Sequence, residues 1–289
     1  MEFKLANINM EKDLKELCRI SFFMQQEEVN FLFANKIHID NCAVCLVGGQ
    51  VVSALYMFDT YILKNGQVVP IYYLYGASTF PEFRNRGYMS SLINFANEVA
   101  QKKGQLYSVL LPATDKLHIF YKKLGYENFF KTRFVRLNWE ELKNFFHSGE
   151  SFNKKLSFEQ MSEIRKRIYC RDGDVFRDSN AIRFAVKQND FCGGKTIFSK
   201  NGYAICKLQE DNVLVSEFAV DEIDFKNLIF NIYKEFGNIK YIFRLADDEM
   251  YFKGLGKSIP FGVIKGLGEN FSKHHFNCSR APYLGLTLD

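Results

Sequence analysis

The 289-residue sequence is poor in proline, with five, and has no uninterrupted apolar run long enough to cross a bilayer. With 47% hydrophobic and 25% charged residues it has the composition of a soluble globular protein. Met1-Glu2-Phe3-Lys4-Leu5 is followed by acidic and basic residues, so no secretory signal is visible and a cytoplasmic location is expected. No block of Lys and Arg stands out, and the net charge of +5 is spread along the chain. Neither a nucleic-acid nor a membrane partner is therefore expected. The seven cysteines are scattered and odd in number, which fits reduced thiols. Cys42 and Cys45 have CxxC spacing but lie in a strand-like run, and no second pair follows at zinc-ribbon spacing. His274, His275 and Cys278 have no further ligand at a suitable spacing, so no metal is expected. A GxxxxGK[ST] loop and a GxGxxG loop are both missing.

Aromatics are abundant, 16% of the chain with 30 Phe and 15 Tyr. They can fill the core, or some can line an apolar channel for a substrate or acyl chain. The length suits one large core or two modest ones. Residues 11–34 have helical periodicity, broken near Gln25–Glu27. Cys42–Val47, the turn Gly48-Gly49-Gln50 and Val51–Tyr61 read as a hairpin, and Asn65-Gly66 marks a second turn. Val68–Thr79 reads as a long strand that pairs only from about Ile71, because Pro70 has no N–H to donate. An apolar helical stripe follows from Tyr88 to Ala100, then a strand over Leu106–Leu111, a helix over Lys116–Leu124 and a strand over Lys131–Asn138. The polar stretch 141–157 reads as a connection between residues 1–140 and residues 158–289. The second half repeats the order. Helices are expected at Phe158–Tyr169, Asn180–Lys187 and Asp224–Phe236, and strands at Lys195–Ser199, Tyr203–Gln209, Val213–Val220, Ile239–Leu245 and Tyr283–Leu288.

Between the long strand and its helix lies Arg84-Asn85-Arg86-Gly87-Tyr88-Met89. The first N–H groups of a helix lack intrahelical partners, and the helix dipole adds positive charge at that end. Gly87 allows close backbone approach and the two arginines add countercharge, so the turn can hold a diphosphate-like anion. An ordinary solvated turn has the same pattern. One helix and one strand downstream stands Phe120-Tyr121-Lys122-Lys123-Leu124-Gly125-Tyr126.

Together the two segments resemble the GNAT superfamily of N-acetyltransferases, over about residues 1–138, and distantly its tandem-domain, Eis-like members. The resemblance implies an α/β (α+β) fold of two GNAT-like domains, each a mixed, mostly antiparallel sheet flanked by helices. It implies acetyl-CoA as co-substrate, with Ala77, Ser78 and Thr79 against the pantetheine arm. Arg84, Asn85, Arg86, Gly87, Tyr88, Met89 and Ser90 are then expected around the diphosphate. Tyr121 is expected to protonate the leaving thiolate, and an amine to attack the thioester directly. N–H donors near Thr79 are expected to stabilise the oxyanion. Met89 departs from the family's Gly or Ala and is expected to crowd the diphosphate.

For the base that deprotonates the amine, Glu27, Glu28, Glu82, Asp115 and Asp289 are candidates. In the second half Asp221-Glu222-Ile223-Asp224 replaces the anion loop, and carboxylates there repel a diphosphate. That half is expected to be a degenerate copy that closes the substrate cleft or forms homo-oligomer contacts. A transferase acting on a primary amine of a small molecule or polypeptide is the leading reading. A non-catalytic acyl-CoA-binding or interaction module is the alternative, and an enzyme for longer acyl chains a third.

Overall fold

The computed structural model describes residues 1–146, 149, 152, 154–248, 250–268 and 276–287. His274, His275 and Asp289 lie outside the described residues. The chain divides into two compact units: residues 1–61, 69–127 and 263–275 in the first, and 62–68, 128–262 and 276–289 in the second. The sequence pattern predicts a single boundary at 141–157. The observed division is interleaved, because strand partners are chosen across long stretches of sequence.

The first unit begins with β1 (Glu2–Leu5), α1 (Glu11–Phe22) and α2 (Gln26–Asn35). Phe23 takes a left-handed conformation that stops α1, and Gln25 and Glu28 form a capping box that opens α2. The helix break thus falls at residues 23–25, slightly before the expected position. Next come β2 (Cys42–Val47), β3 (Gln50–Lys64) and β4 (Gln67–Thr79), of which residues 62–68 belong to the second unit, then α3 (Tyr88–Lys102), β5 (Tyr107–Leu110) and α4 (Asp115–Lys123). Asn65 and Gly66 both have positive φ, as a two-residue β-turn of the primed type requires. β1 pairs antiparallel with β2, β2 pairs antiparallel with β3, and β4 pairs parallel with β5. One face of this sheet carries a buried cluster that includes Leu55, Met57, Tyr72, Leu74, Leu92, Ala96 and Tyr121.

The second unit contains β6 (Glu127–Leu137), of which Glu127 itself belongs to the first unit, then α5 (Trp139–Lys143), α6 (Phe158–Tyr169), β7 (Val175–Phe176) and α7 (Ser179–Phe191). These lead into β8 (Lys195–Ser199), β9 (Gly202–Gln209), β10 (Asn212–Val220), α8 (Phe225–Phe236) and β11 (Lys240–Leu245). β8, β9 and β10 form an antiparallel meander and β10 pairs parallel with β11. Helix pair, meander, helix and parallel strand therefore occur in the same order in both units. Phe218 lies at the centre of the second core, in ring contact with Phe225, Phe243, Tyr251 and Phe252. Much of the aromatic excess is thus core packing.

The closing strands are exchanged. β6 follows the first copy in sequence but pairs with β11, while Val263–Gly266 of β12 (Lys257–Gly266) follows the second copy and pairs with β5. β12 was not expected, because Pro260 and Gly262 interrupt its alternation. The strand expected at Tyr283–Leu288 is not formed over the described residues. Gly285 and Leu286 have φ of 48° and 38°, which breaks an extended run. Tyr283 instead donates its N–H to Asp174 Oδ1 at 2.8 Å. The expected connection 141–157 also begins with a helix, α5, whose Asn138–Glu141 capping box places Leu142 in the core.

Candidate active site

β4 is much longer than its parallel partner. Pairing starts where Leu106 donates to the Pro70 carbonyl at 2.9 Å, so the missing N–H of Pro70 costs no ladder bond. The register then runs from Ile71–Tyr107 to Tyr73–Val109, and β5 ends at Leu110. β4 continues to Thr79 with β3 on its other side, where Thr79 Oγ1 lies 2.8 Å from Ser53 Oγ and Phe80 donates to the Val52 carbonyl. Leu74–Thr79 therefore run beyond the parallel ladder.

This stretch contains a bulge. Tyr72, Leu74 and Ala77 all pack towards the cluster beside α3, which a strand of strict period two cannot do. The extra residue is accommodated at Gly76, whose φ is +62°. A Cβ there would lie 2.6 Å from Tyr56 Cδ2, so both conformation and space require glycine. Tyr75, Gly76 and Ala77 are half-exposed, whereas Ile71–Leu74 are buried. The bulge is where the strand opens to solvent.

The loop after β4 is shaped by Asn85 (φ 62°) and Gly87 (φ 79°), two left-handed residues that alternate with Arg84 and Arg86. Arg84 itself is extended, with φ −67° and ψ 163°. Gly87 is the N-cap of α3 and no side chain caps that end; the first intrahelical bond is from Ser91 N–H to the Gly87 carbonyl. Arg84 Nε donates to the Thr79 carbonyl at 3.0 Å, and an Arg86 guanidinium N–H to the Glu82 carbonyl at 2.9 Å. The Arg86 guanidinium also lies 5.5 Å from the centre of the Phe83 ring. Both arginines are thus oriented by the backbone and exposed. The Met89 side chain, expected to crowd the loop, packs against the core cluster.

Tyr121 belongs to the same cluster as Leu74 and Leu110. Its ring stands edge-on to Phe120 at 5.2 Å and to Tyr126 at 5.5 Å. Burial pushes its phenol well above the usual tyrosine range, so it stays protonated. Beneath it lies a buried polar set that sequence reading missed. Tyr72 donates to Asn97 Oδ1, and Ser108 Oγ and the Tyr126 hydroxyl lie 2.6 Å apart. Tyr72 and Ser108 are opposite each other on the middle rung of the β4–β5 ladder. The set braces the ladder just before the strands part.

Four of the carboxylates considered as bases, Glu27, Glu28, Glu82 and Asp115, lie within the described residues. Glu28 accepts the Gln25 N–H at 2.7 Å and is engaged in capping. Glu27, Glu82 and Asp115 are exposed, Asp115 in the first turn of α4. Ser78 is buried with its hydroxyl 3.5 Å from the Ala54 carbonyl, while Ser90 and Tyr88 are half-exposed at the start of α3. Among the described residues no group of three or more His, Cys, Asp or Glu side chains is placed to hold a metal. No described helix is long and apolar enough to cross a membrane.

The second unit has the same strand geometry filled by its own atoms. The β10–β11 register stops at Val215–Phe243, a shift follows before Glu217, and β10 runs on to Val220. The Tyr251 hydroxyl donates to the Val220 carbonyl and accepts its N–H at 3.3 Å. Arg244 Nε donates to the Ser216 carbonyl at 3.2 Å and the Tyr169 hydroxyl to that of Phe218. At the start of α8, Asp221 pairs with Arg167 at 2.7 Å and Asp224 accepts the Asn201 N–H at 2.6 Å. Carboxylates thus stand at the start of this helix, where they repel an anion.

Residues 2–129 match the family model of the acetyltransferase (GNAT) domain. This stretch is thus similar to the GNAT acetyltransferase domain. A GCN5-related N-acetyltransferase from Anabaena variabilis superposes with a TM-score of 0.75 at 15% identity, covering 92% of this chain and 73% of that one. Eis1 from Mycobacterium abscessus gives 0.68 at 11% identity, covering 92% and 74%. A tandem GNAT protein from the clavulanic acid biosynthesis pathway gives 0.51 at 14% identity, covering 93% and 99%. A search of curated proteins found no match. At these identities the structural likeness establishes the fold: two GNAT-like units.

Proposed function

We propose that the protein is an acetyl-CoA-dependent N-acetyltransferase with one working site, in the first unit. The observation that carries this reading is the contrast between the two units. β4 parts from β5 beside a helix start with no side-chain cap and two arginines, whereas the equivalent strand edge of β10 is bonded to Tyr251. A GNAT domain supplies acyl-CoA-dependent acetyl transfer as the chemistry.

The residues fit the cofactor. The Asn85–Ser90 backbone, with Arg84 and Arg86, would hold the diphosphate through N–H groups and fixed positive charge. The edge of β4 from Leu74 to Thr79 would pair with the amide groups of the pantetheine arm and place the thioester at the bulge, with N–H donors near Thr79 facing the oxyanion. An amine nitrogen then attacks the thioester carbon, forming a C–N bond as the C–S bond breaks. Tyr121 gives its proton to the departing thiolate, solvent restores that proton, and the acylated nitrogen loses one to water. The products are an amide and a thiol. The raised Tyr121 pKa keeps the phenol protonated at neutral pH, so it has a proton to give and is not available as a base. A location in the cytoplasm accords with this co-substrate.

The test is thiol release from acetyl-CoA over a panel of primary amines, with wild type and Tyr121→Phe. We expect kcat to fall by about 10²-fold, the scale of a lost general acid, while the KM for acetyl-CoA stays within twofold. Undiminished kcat in the variant would remove Tyr121 from the mechanism. A protein that binds acetyl-CoA but releases no thiol with any amine would favour the non-catalytic binding module.

A further inference from the structure

The second unit holds a cleft of about 470 Å³, a volume in the range of small-molecule sites. It is lined by the end of β6, by α5 with the two residues after it, and by the chain leading into β12. That chain is firmly anchored. Arg133, 6% exposed, donates to the carbonyls of Tyr251, Phe252 and Leu255 at 2.6, 3.2 and 2.5 Å. Gly256 lies so close to β6 that a Cβ would be 2.7 Å from the Phe134 carbonyl oxygen. Tyr251 and Phe252 are buried, whereas Leu255 is left 39% exposed at the cleft. Phe134 and Phe145, both half-buried, add two rings to the same apolar surface.

Charges of both signs line the cleft. Arg136 and Lys257 are exposed there, and neither has an ion-pair partner among the described residues. The Arg136 guanidinium lies 5.7 Å from the centre of the Phe134 ring. Glu141 is the one lining carboxylate. Its Oε2 accepts the Asn138 N–H at 2.8 Å, which leaves Oε1 for another donor. Asn144 adds an exposed amide beside it. The other charged groups of α5 and the anchored chain, Glu140, Lys143 and Lys253, are exposed and do not line the cleft. Lys143 Nζ instead lies 4.4 Å from the centre of the Trp139 ring and 5.0 Å from that of Tyr233.

We infer that this cleft binds a free α-amino acid with a large apolar side chain. The ligand's carboxylate meets Arg136 and Lys257, its ammonium meets Glu141 and the Asn144 amide oxygen, and its side chain covers Phe134, Phe145 and Leu255. A polyanion would bring like charge against Glu141, and a polycation would do so against Arg136 and Lys257. An uncharged apolar ligand would use none of the three charges. A zwitterion with an apolar body uses them all. Because the charged groups are exposed, each adds only modestly to affinity, and selectivity among amino acids falls to the apolar contact. Nothing in this recognition depends on acetyl transfer.

Calorimetric titration of the full chain with L-phenylalanine tests this. We expect 3-phenylpropionate, 2-phenylethylamine and glycine to bind roughly tenfold more weakly or worse, since each lacks one of the three recognised groups. Arg136→Ala with Lys257→Ala should weaken L-phenylalanine binding by roughly tenfold or more. So should Glu141→Gln, whose amide oxygen still caps α5. Lys253→Ala, outside the cleft, should leave the affinity within about twofold. All four side chains are exposed, so the melting temperatures of these variants should stay within a few degrees of wild type. Equal affinity for 3-phenylpropionate or 2-phenylethylamine would overturn the inference. L-phenylalanine binding unchanged in the Arg136 and Lys257 double variant would place the ligand elsewhere and overturn it too. Absence of binding for L-phenylalanine, L-leucine and L-tryptophan at millimolar concentration would do the same. None of these results bears on acetyl-CoA binding, which is titrated separately.

Discussion

Replacing Gly76 by alanine would place a methyl group 2.6 Å from Tyr56 Cδ2, on a residue whose φ is +62°. The backbone alone costs an L-residue roughly 1–2 kcal/mol in that conformation. The clash adds roughly 1–3 kcal/mol, since Tyr56 is buried and tethered through its hydroxyl to the Leu14 carbonyl at 3.3 Å. The sum, about 2–5 kcal/mol, is a large fraction of the stability of a typical domain. For a protein of this size each kcal/mol lowers the melting temperature by about 2–4 °C, so a fall on the order of 10 °C is expected. Gly87→Ala is the matched control. Its φ is +79°, yet nothing lies within 4 Å of the added carbon, so only the backbone cost of about 1–2 kcal/mol applies. Thermal unfolding of both variants, monitored by circular dichroism, decides the matter. If Gly76→Ala melts no lower than Gly87→Ala, the bulge is not packed against Tyr56 and the site geometry derived from it fails.

Two further outcomes are expected. Tyr251→Phe removes the hydroxyl bonded to both backbone groups of Val220 and should destabilise the protein by roughly 1–3 kcal/mol in urea unfolding. Acetyl-CoA affinity should stay within twofold, and a large affinity loss would show that the second unit's strand edge takes part in binding. Burial raises the pKa values of Tyr72, Tyr121 and Tyr126, so the unfolded chain releases these protons first as pH rises. Their contribution to stability is complete below about pH 10 and declines above it, and a urea midpoint that is flat from pH 8 to 11 would contradict this.

The turn at Arg84–Met89 was legible because its signals are local. A strand running into RxxG and then an apolar helical stripe specifies the left-handed Gly87 and the uncapped helix start without long-range contacts. The bulge also had a signal, a lone glycine within a strand of aromatic residues, although its consequence for the sheet faces needed coordinates. The exchange of closing strands was not legible. Lys131–Asn138 reads as a strand whichever partner it takes, and alternation does not name the partner. β12 was hidden by Pro260 and Gly262. Tyr283–Leu288 alternates like a strand, but backbone conformation at Gly285 and a hydrogen bond to Asp174 override the pattern. The polar set of Tyr72, Asn97, Ser108 and Tyr126 lies on four separate segments, and only folding brings it together.

One cofactor site per chain, at Arg84–Ser90, is the central claim, and calorimetric titration of acetyl-CoA tests it most directly. Wild type should bind one equivalent, and Arg84→Ala with Arg86→Ala should weaken binding at least tenfold without lowering the melting temperature by more than a few degrees, since both side chains are exposed. Two equivalents per chain, or an affinity unchanged in the double variant, would contradict it.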